Sequence, residues 1–283
     1  SHVYAVDMQT ATSKRITTLG KHHDVKFAKD ASIYVDVFSD INTPAQTGLY
    51  AATGEFITWL DENLVNSNHP LAPFAAAWIA PKFGTIKAQD DTELYYRLYK
   101  PAKVSGKHPV IVYHYGGPRA QVVTNKWAGS RGLMFQYWAQ QGYVVFSIDN
   151  RGSYYRGKAF EDPIYKAMGT VEIEDQKLGV DFLRTLDFVD PSKIGVYGHS
   201  YGGYMSLMAM FKAPEYFAAG VSGAPVTEHL PGPISEVDPS ADPIALVSPV
   251  MSLTVYTSRG IISCGGMSSI PTTSATGGMR SIR

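Results

Sequence analysis

Apolar and polar positions fall into three regimes along the 283 residues. Over residues 1–65 the apolar side chains come in short runs: Val25-Lys26-Phe27-Ala28, Ile33-Tyr34-Val35-Asp36-Val37-Phe38, Leu49-Tyr50-Ala51 and Phe56-Ile57-Thr58-Trp59-Leu60. Polar turns such as Lys29-Asp30-Ala31-Ser32 and Ala52-Thr53-Gly54-Glu55 separate them. Successive side chains on a strand point to opposite faces, so this pattern predicts short, evenly spaced β-strands, as in a sandwich or in one blade or slightly more of a propeller. Residues 66–82 hold Pro70, Pro73 and Pro81, and predict a linker with a short helix near 74–77.

From residue 83 the second regime begins. Residues 83–87 and 93–99 flank Asp90-Asp91 and predict a hairpin. The continuous apolar runs 110–113 and 143–148 suit strands covered on both faces. Helical patterns over 132–141, 172–186 and 204–211 alternate with strands after Ser192 and over 217–221. Strand–helix alternation predicts a parallel α/β sheet, which collects ligands at the C-terminal ends of its strands. Tyr115, residues 149–153, Ser200 and residues 223–227 all fall there. After Thr227 the periodicity fades. Residues 228–283 are rich in Ser, Thr, Gly and Pro, and predict a poorly packed tail, with coil from 258, that leaves the sheet without its last strands.

Composition narrows the function classes. With 45% hydrophobic residues a packed core is expected, and a formal net charge of zero argues against nucleic acid or an anionic membrane as partner. A single cysteine, Cys264, excludes an internal disulfide. The eight histidines show no metal-ligand spacing, and His22-His23 reads as a solvated loop pair, so neither a metal nor a cofactor is expected. The longest apolar run, 74–80, is too short to cross a membrane. The start at Ser1, without a basic-then-apolar leader, is read as processing or as part of a longer gene product.

The candidate chemistry lies in Gly198-His199-Ser200-Tyr201-Gly202, between a strand and a helix. There a G-x-S-x-G pattern is the nucleophile elbow of an α/β-hydrolase fold, and small residues on either side of the serine let strand and helix approach. A serine hydroxyl needs a base, which in this fold is a histidine that follows the acid in the chain. The only histidine after Ser200 is His229; it precedes Asp238 and Asp242, so that order is not available with an aspartate, and Glu215, Glu228 and Glu236 do not help because a histidine must still be found beyond the last sheet strands. His114 and His199 are poor candidates: strand alternation sets His114 opposite Tyr115, and His199 points away from the hydroxyl. An oxyanion hole is better supplied, from the Tyr201 amide and from Tyr115-Gly116-Gly117-Pro118, where the Tyr115 hydroxyl can donate.

Five segments carry a family resemblance: Tyr115-Gly116-Gly117-Pro118, Asp149-Asn150-Arg151-Gly152-Ser153, Met168-Gly169-Thr170-Val171-Glu172-Ile173-Glu174-Asp175-Gln176, Gly198-His199-Ser200-Tyr201-Gly202-Gly203-Tyr204 and Gly223-Ala224-Pro225-Val226-Thr227. In this order they closely resemble the hydrolase domain of the prolyl oligopeptidase family of serine peptidases, in its dipeptidyl peptidase IV branch. The resemblance divides the chain into the end of a β-propeller (1–65), a linker (66–82), an incomplete α/β-hydrolase domain (83–227) and a divergent tail (228–283). It implies catalytic Ser200, an oxyanion hole from Tyr115 and the Tyr201 amide, and a proline-accepting pocket lined by Tyr201 and Val226. It also implies a peptide substrate and an intact protein that can form a homodimer. Two departures stand out: His199 replaces a usual tryptophan, and after Thr227 the family's acid and histidine motifs are missing. A shifted reading frame or an assembly artefact after 227, and an inactive chain, are therefore expected. The alternatives are a non-catalytic hydrolase-fold binding module and an esterase.

Overall fold

The computed structural model describes residues 2–102 and 105–226, together with the backbone of Leu253–Thr257 and Gly260–Cys264. The chain divides into two compact units, one of Ser1–Pro81 with Thr124–Gln140, the other of Lys82–Val123 with Gln141–Arg283.

In the first unit β1 (Tyr4–Val6) pairs antiparallel with β2 (Ser13–Arg15). Strands β3 (His22–Phe27), β4 (Ile33–Asp40), β5 (Thr43–Ala51) and β6 (Phe56–Asp61) then form a four-stranded antiparallel meander in sequence order. The alternation in β4 has the expected effect, burying Tyr34 and Asp36 and exposing Ile33 and Val37. His22-His23 is not a loop pair but the start of β3. His23 is buried, with Nδ1 2.7 Å from Asp36 Oδ2 and Nε2 donating to the Thr18 carbonyl at 2.8 Å. The antiparallel register sets His23 opposite Phe38, two residues from Asp36, and a buried carboxylate needs such a partner.

The linker carries the short helix, a 3-10 turn over Ala72–Ala77 with Pro73 in its first turn. Helix α1 (Gly129–Gln140) belongs to the same unit. Its Gln136 clasps the linker, accepting from the Ile79 amide at 2.9 Å and donating to the Ile79 carbonyl at 2.8 Å. Trp78 and Trp127 stack beside this contact, their ring centroids 5.1 Å apart.

The second unit is built on β7 (Lys82–Lys87), β8 (Glu93–Tyr99), β9 (His108–Tyr113), β10 (Val144–Ile148), β11 (Val189–His199), β12 (Ala219–Gly223), β13 (Leu253–Thr257) and β14 (Gly260–Cys264). They form one sheet in the order β14-β13-β12-β11-β9-β10-β8-β7. Only its centre is parallel: β10, β9, β11 and β12 run together, and antiparallel strands flank them on both sides, so the sheet is mixed. Helices α2 (Lys158–Glu161), α3 (Val171–Arg184) and α4 (Tyr201–Lys212) complete the unit. Phe146 and Ile148 of β10 share one core cluster with Val180 and Leu183 of α3 and with Met205 and Met208 of α4. Strand β11 starts at Val189, ahead of the strand expected after Ser192, and its pairing with β9 shifts register between Val189 and Ile194.

In the tail, β13 pairs antiparallel with β12, and β14 with β13. The expectation of coil from 258 is corrected at β14, and two more strands extend the sheet. Leu-Thr-Val-Tyr-Thr and Gly-Ile-Ile-Ser-Cys are rich in β-branched residues, and only two residues separate them, as in a hairpin. The rest of the tail lies outside the described residues.

Candidate active site

Ser200 is the single residue between the end of β11 and the start of α4. It has φ +60° and ψ −121°, a conformation that a non-glycine residue adopts only when its surroundings hold it there. The surroundings are backbone. The Ser200 amide donates to the Gly223 carbonyl at 2.8 Å, and the Ser200 carbonyl accepts from the amides of Tyr204 at 3.1 Å and Val226 at 3.4 Å. The hydroxyl makes no capping bond to the helix, and the residue is half-buried.

The glycines either side are required by contact. A Cβ on Gly198 would lie 2.2 Å from the Gly202 carbonyl oxygen, and one on Gly202 would lie 2.4 Å from the His114 carbonyl oxygen. Strand, elbow and the end of β9 therefore meet without room for a methyl group, which brings Tyr115 beside the elbow. Gly116 turns the chain at φ +77°, and a Cβ on Gly117 would strike the Tyr201 ring at 2.4 Å. The rings of Tyr115 and Tyr201 lie 6.0 Å apart. Tyr201 opens α4 at its positive end, a suitable place for an amide that meets developing negative charge. Its side chain is buried, and its hydroxyl donates to Glu172 Oε1 at 2.7 Å. Burial first, and the Glu172 carboxylate second, push that phenol far above its ordinary range, so it stays protonated. Val226 is half-buried and joined to Ser200 through its amide.

The two histidines set aside as bases occupy other positions. His114 is fully buried, with Nε2 3.1 Å from Ser206 Oγ, which itself donates to the Gly202 carbonyl at 2.9 Å. Burial lowers its pKa to about 4, so it is a neutral hydrogen-bonding post beneath the elbow. His199 is exposed, next to Gly223. A histidine–carboxylate hydrogen bond does exist in the described chain, but it is His23–Asp36 of the first unit. His229, Asp238 and Asp242 lie outside the described residues. Among the described residues no group of three or more His, Cys, Asp or Glu side chains could hold a metal ion.

Sequence reasoning assigned no role to several polar side chains that the fold buries around the site. Glu172, Asp175 and Gln176 are all fully buried on α3. Glu172 accepts from the amides of Gly169 and Thr170, each at 3.0 Å, as well as from Tyr201. Asp175 takes the Arg151 amide at 2.8 Å and its guanidinium at 2.7 Å. Gln176 donates to Asn150 Oδ1 at 3.0 Å, and Asn150 Nδ2 donates to the Gly116 carbonyl at 3.0 Å. Asp149 accepts from the amides of Val122 at 2.9 Å and Val123 at 3.2 Å, and its burial pushes its pKa up to about 6. For the three on α3, the signal in the sequence was the interruption of an apolar helical stripe by acids and an amide at the spacing of that stripe. A cavity of about 530 Å³ opens along α3 beside Arg151, Thr170, Lys177 and Lys212, but Ser200 and Tyr115 do not line it. Its charges are already paired: Lys177 with Glu174, Arg151 with Asp175, and Lys212 with the Gly169 carbonyl.

A model of the prolyl oligopeptidase family matches residues 130–231. Human dipeptidyl peptidase 8 is 32% identical over 240 residues, covering 80% of this chain and 26% of that protein. Bovine prolyl endopeptidase FAP is 33% identical over 141 residues, 49% of this chain and 18% of that protein. A solved structure of a proposed dipeptidyl aminopeptidase IV from Bacteroides ovatus superimposes with a TM-score of 0.68 at 36% identity, covering 79% of this chain and 32% of that one. The chain thus spans 26% or less of the length of these two curated relatives.

Proposed function

We propose that this chain, which resembles the prolyl oligopeptidase family in its dipeptidyl peptidase IV branch, is the nucleophile-bearing part of a serine peptidase that removes amino-terminal dipeptides after proline. On this reading the second unit is an α/β-hydrolase domain and the four-stranded meander closes a β-propeller. The observation that carries it is Ser200 held at positive φ between a parallel strand and a helix, with a glycine-rich loop packed against the residue that follows it.

Ser200 Oγ attacks the carbonyl carbon of the proline residue, and its proton passes to a base. The carbonyl oxygen becomes an oxyanion, which the Tyr201 amide and the Tyr115 hydroxyl stabilise. Removal of one such donor in a comparable hydrolase costs about 2.7–4 kcal/mol. The C–N bond then breaks, the base returns its proton to the leaving amine, and water hydrolyses the acyl-serine. Tyr201 and Val226 form one wall of the proline pocket. His114 and His199 do not serve as the base. The only histidine after Ser200, His229, precedes both aspartates and comes shortly after the strand that ends at Gly223, too early for the triad histidine, so residues 1–283 alone are expected to act roughly 10⁴- to 10⁶-fold more slowly than an intact triad.

Fluorophosphonate labelling of the full-length protein that carries this chain tests the nucleophile. Labelling that maps to Ser200 and disappears in Ser200→Ala is expected. No labelling would favour a binding module. Labelling accompanied by turnover of simple acyl esters, but not of Gly-Pro amides, would favour an esterase.

A further inference from the structure

We infer that Glu172 and Gln176, one turn apart on the buried face of α3, are positioning residues that set the two halves of the oxyanion hole against one another. The inference rests on the peptidase reading of Ser200. Glu172 and Gln176 are four residues apart, so they share a helix face, and their relative exposures are 0% and 1%. One chain of bonds runs from Glu172 Oε1 to the Tyr201 hydroxyl at 2.7 Å, and so to the residue whose amide opens α4. The other runs from Gln176 Nε2 to Asn150 Oδ1 at 3.0 Å, then from Asn150 Nδ2 to the Gly116 carbonyl at 3.0 Å, one residue beyond Tyr115.

The geometry leaves little slack. Asn150 is fully buried, and its Nδ2 also donates to the Arg151 carbonyl at 2.7 Å, which fixes the amide orientation: Oδ1 must face Gln176 and Nδ2 must face Gly116. The Glu172 carboxylate is held from its own side by the amides of Gly169 and Thr170. Both arms thus start from the first two turns of one rigid helix, which is further fixed by Asp175 gripping Arg151. Neither Glu172 nor Gln176 touches the hydroxyl of Ser200, so neither is a catalytic residue. Their effect is on where the two donors stand when charge develops on the substrate oxygen.

A transition-state analogue separates positioning from general damage. In the full-length protein, Gln176→Met removes the donor to Asn150 Oδ1 and the Ile148 carbonyl, and Glu172→Met removes the acceptor of the Tyr201 hydroxyl, both at nearly constant side-chain size. Two affinities are measured for each variant: for a dipeptide boronate, whose tetrahedral adduct on Ser200 places an oxygen in the hole, and for the product dipeptide, which does not. The expected result is weaker boronate binding, by roughly tenfold to a hundredfold, with product affinity within about twofold and the loss in kcat rather than KM. Asn150→Asp, which turns a donor toward the Gly116 carbonyl into an acceptor, provides a second variant of the same arm should Gln176→Met not fold. Parallel losses in both affinities, or none in either, would overturn the inference. A wild-type protein that neither binds the boronate nor hydrolyses a Gly-Pro amide would instead overturn the peptidase reading and this inference with it.

Discussion

Strands β10 and β6 have similar apolar content and opposite surroundings. All five residues of β10 are buried, whereas all six of β6 are exposed, with Phe56, Ile57, Trp59 and Leu60 each between 38% and 56% accessible. In β10 helix α3 lies so close that a Cβ on Gly179 would touch the Phe146 ring at 3.0 Å. Apolar sequence alone does not distinguish these cases. What distinguishes them is whether a second layer covers the strand, because burial rather than side-chain type supplies the stabilisation.

Truncations at the two strands should therefore differ widely. Phe146→Ala removes a fully buried ring from the core shared with α3 and α4, and is expected to destabilise the second unit by about 3–5 kcal/mol in denaturant unfolding. A loss under about 1 kcal/mol would mean that the core can collapse around the gap.

A second effect of similar origin is electrostatic. Burial raises Asp149 from 3.8 to about 6, against the pull of the Val122 and Val123 amides and of Arg97 and Arg156. Because the folded pKa lies above the unfolded one, the folded state holds the extra proton between these values. The stability from this group is full below pH 3.8 and is lost as pH rises through about 6. The displacement corresponds to on the order of 3 kcal/mol. Asp149→Asn should flatten that part of the stability–pH curve, and an unchanged slope between pH 4 and 6 would show that Asp149 titrates normally.

The smallest effect belongs to β6. Leu60→Ala, at a side chain 56% accessible, should change stability by within about 0.5 kcal/mol. A loss of several kcal/mol would mean that a partner covers this strand in solution, and would end the contrast with β10.

The same contrast explains what could be read from the sequence. The elbow was legible because its requirement is local: Gly198 and Gly202 are small where the strand and helix backbones nearly touch. The central strands were legible as continuous apolar runs. The parallel sheet was only partly so, since the flanking antiparallel strands depend on pairings between distant segments. His23 was misread because its partner, Asp36, lies on the next strand, and alternation within one strand does not reveal a neighbour. Glu172, Asn150 and Gln176 could be quoted as a motif, but their roles depend on bonds spanning 26 to 34 residues. Spacing along one helix carries no information about those.

The central claim is that Ser200 is the nucleophile of a proline-directed peptidase. Its most direct measurement is the hydrolysis of a Gly-Pro amide by the full-length protein, side by side with Ser200→Ala. The account predicts turnover by the wild type and a loss of roughly 10⁴-fold or more in kcat in the variant. Equal rates from the two proteins, or no turnover by a folded wild type, would contradict it.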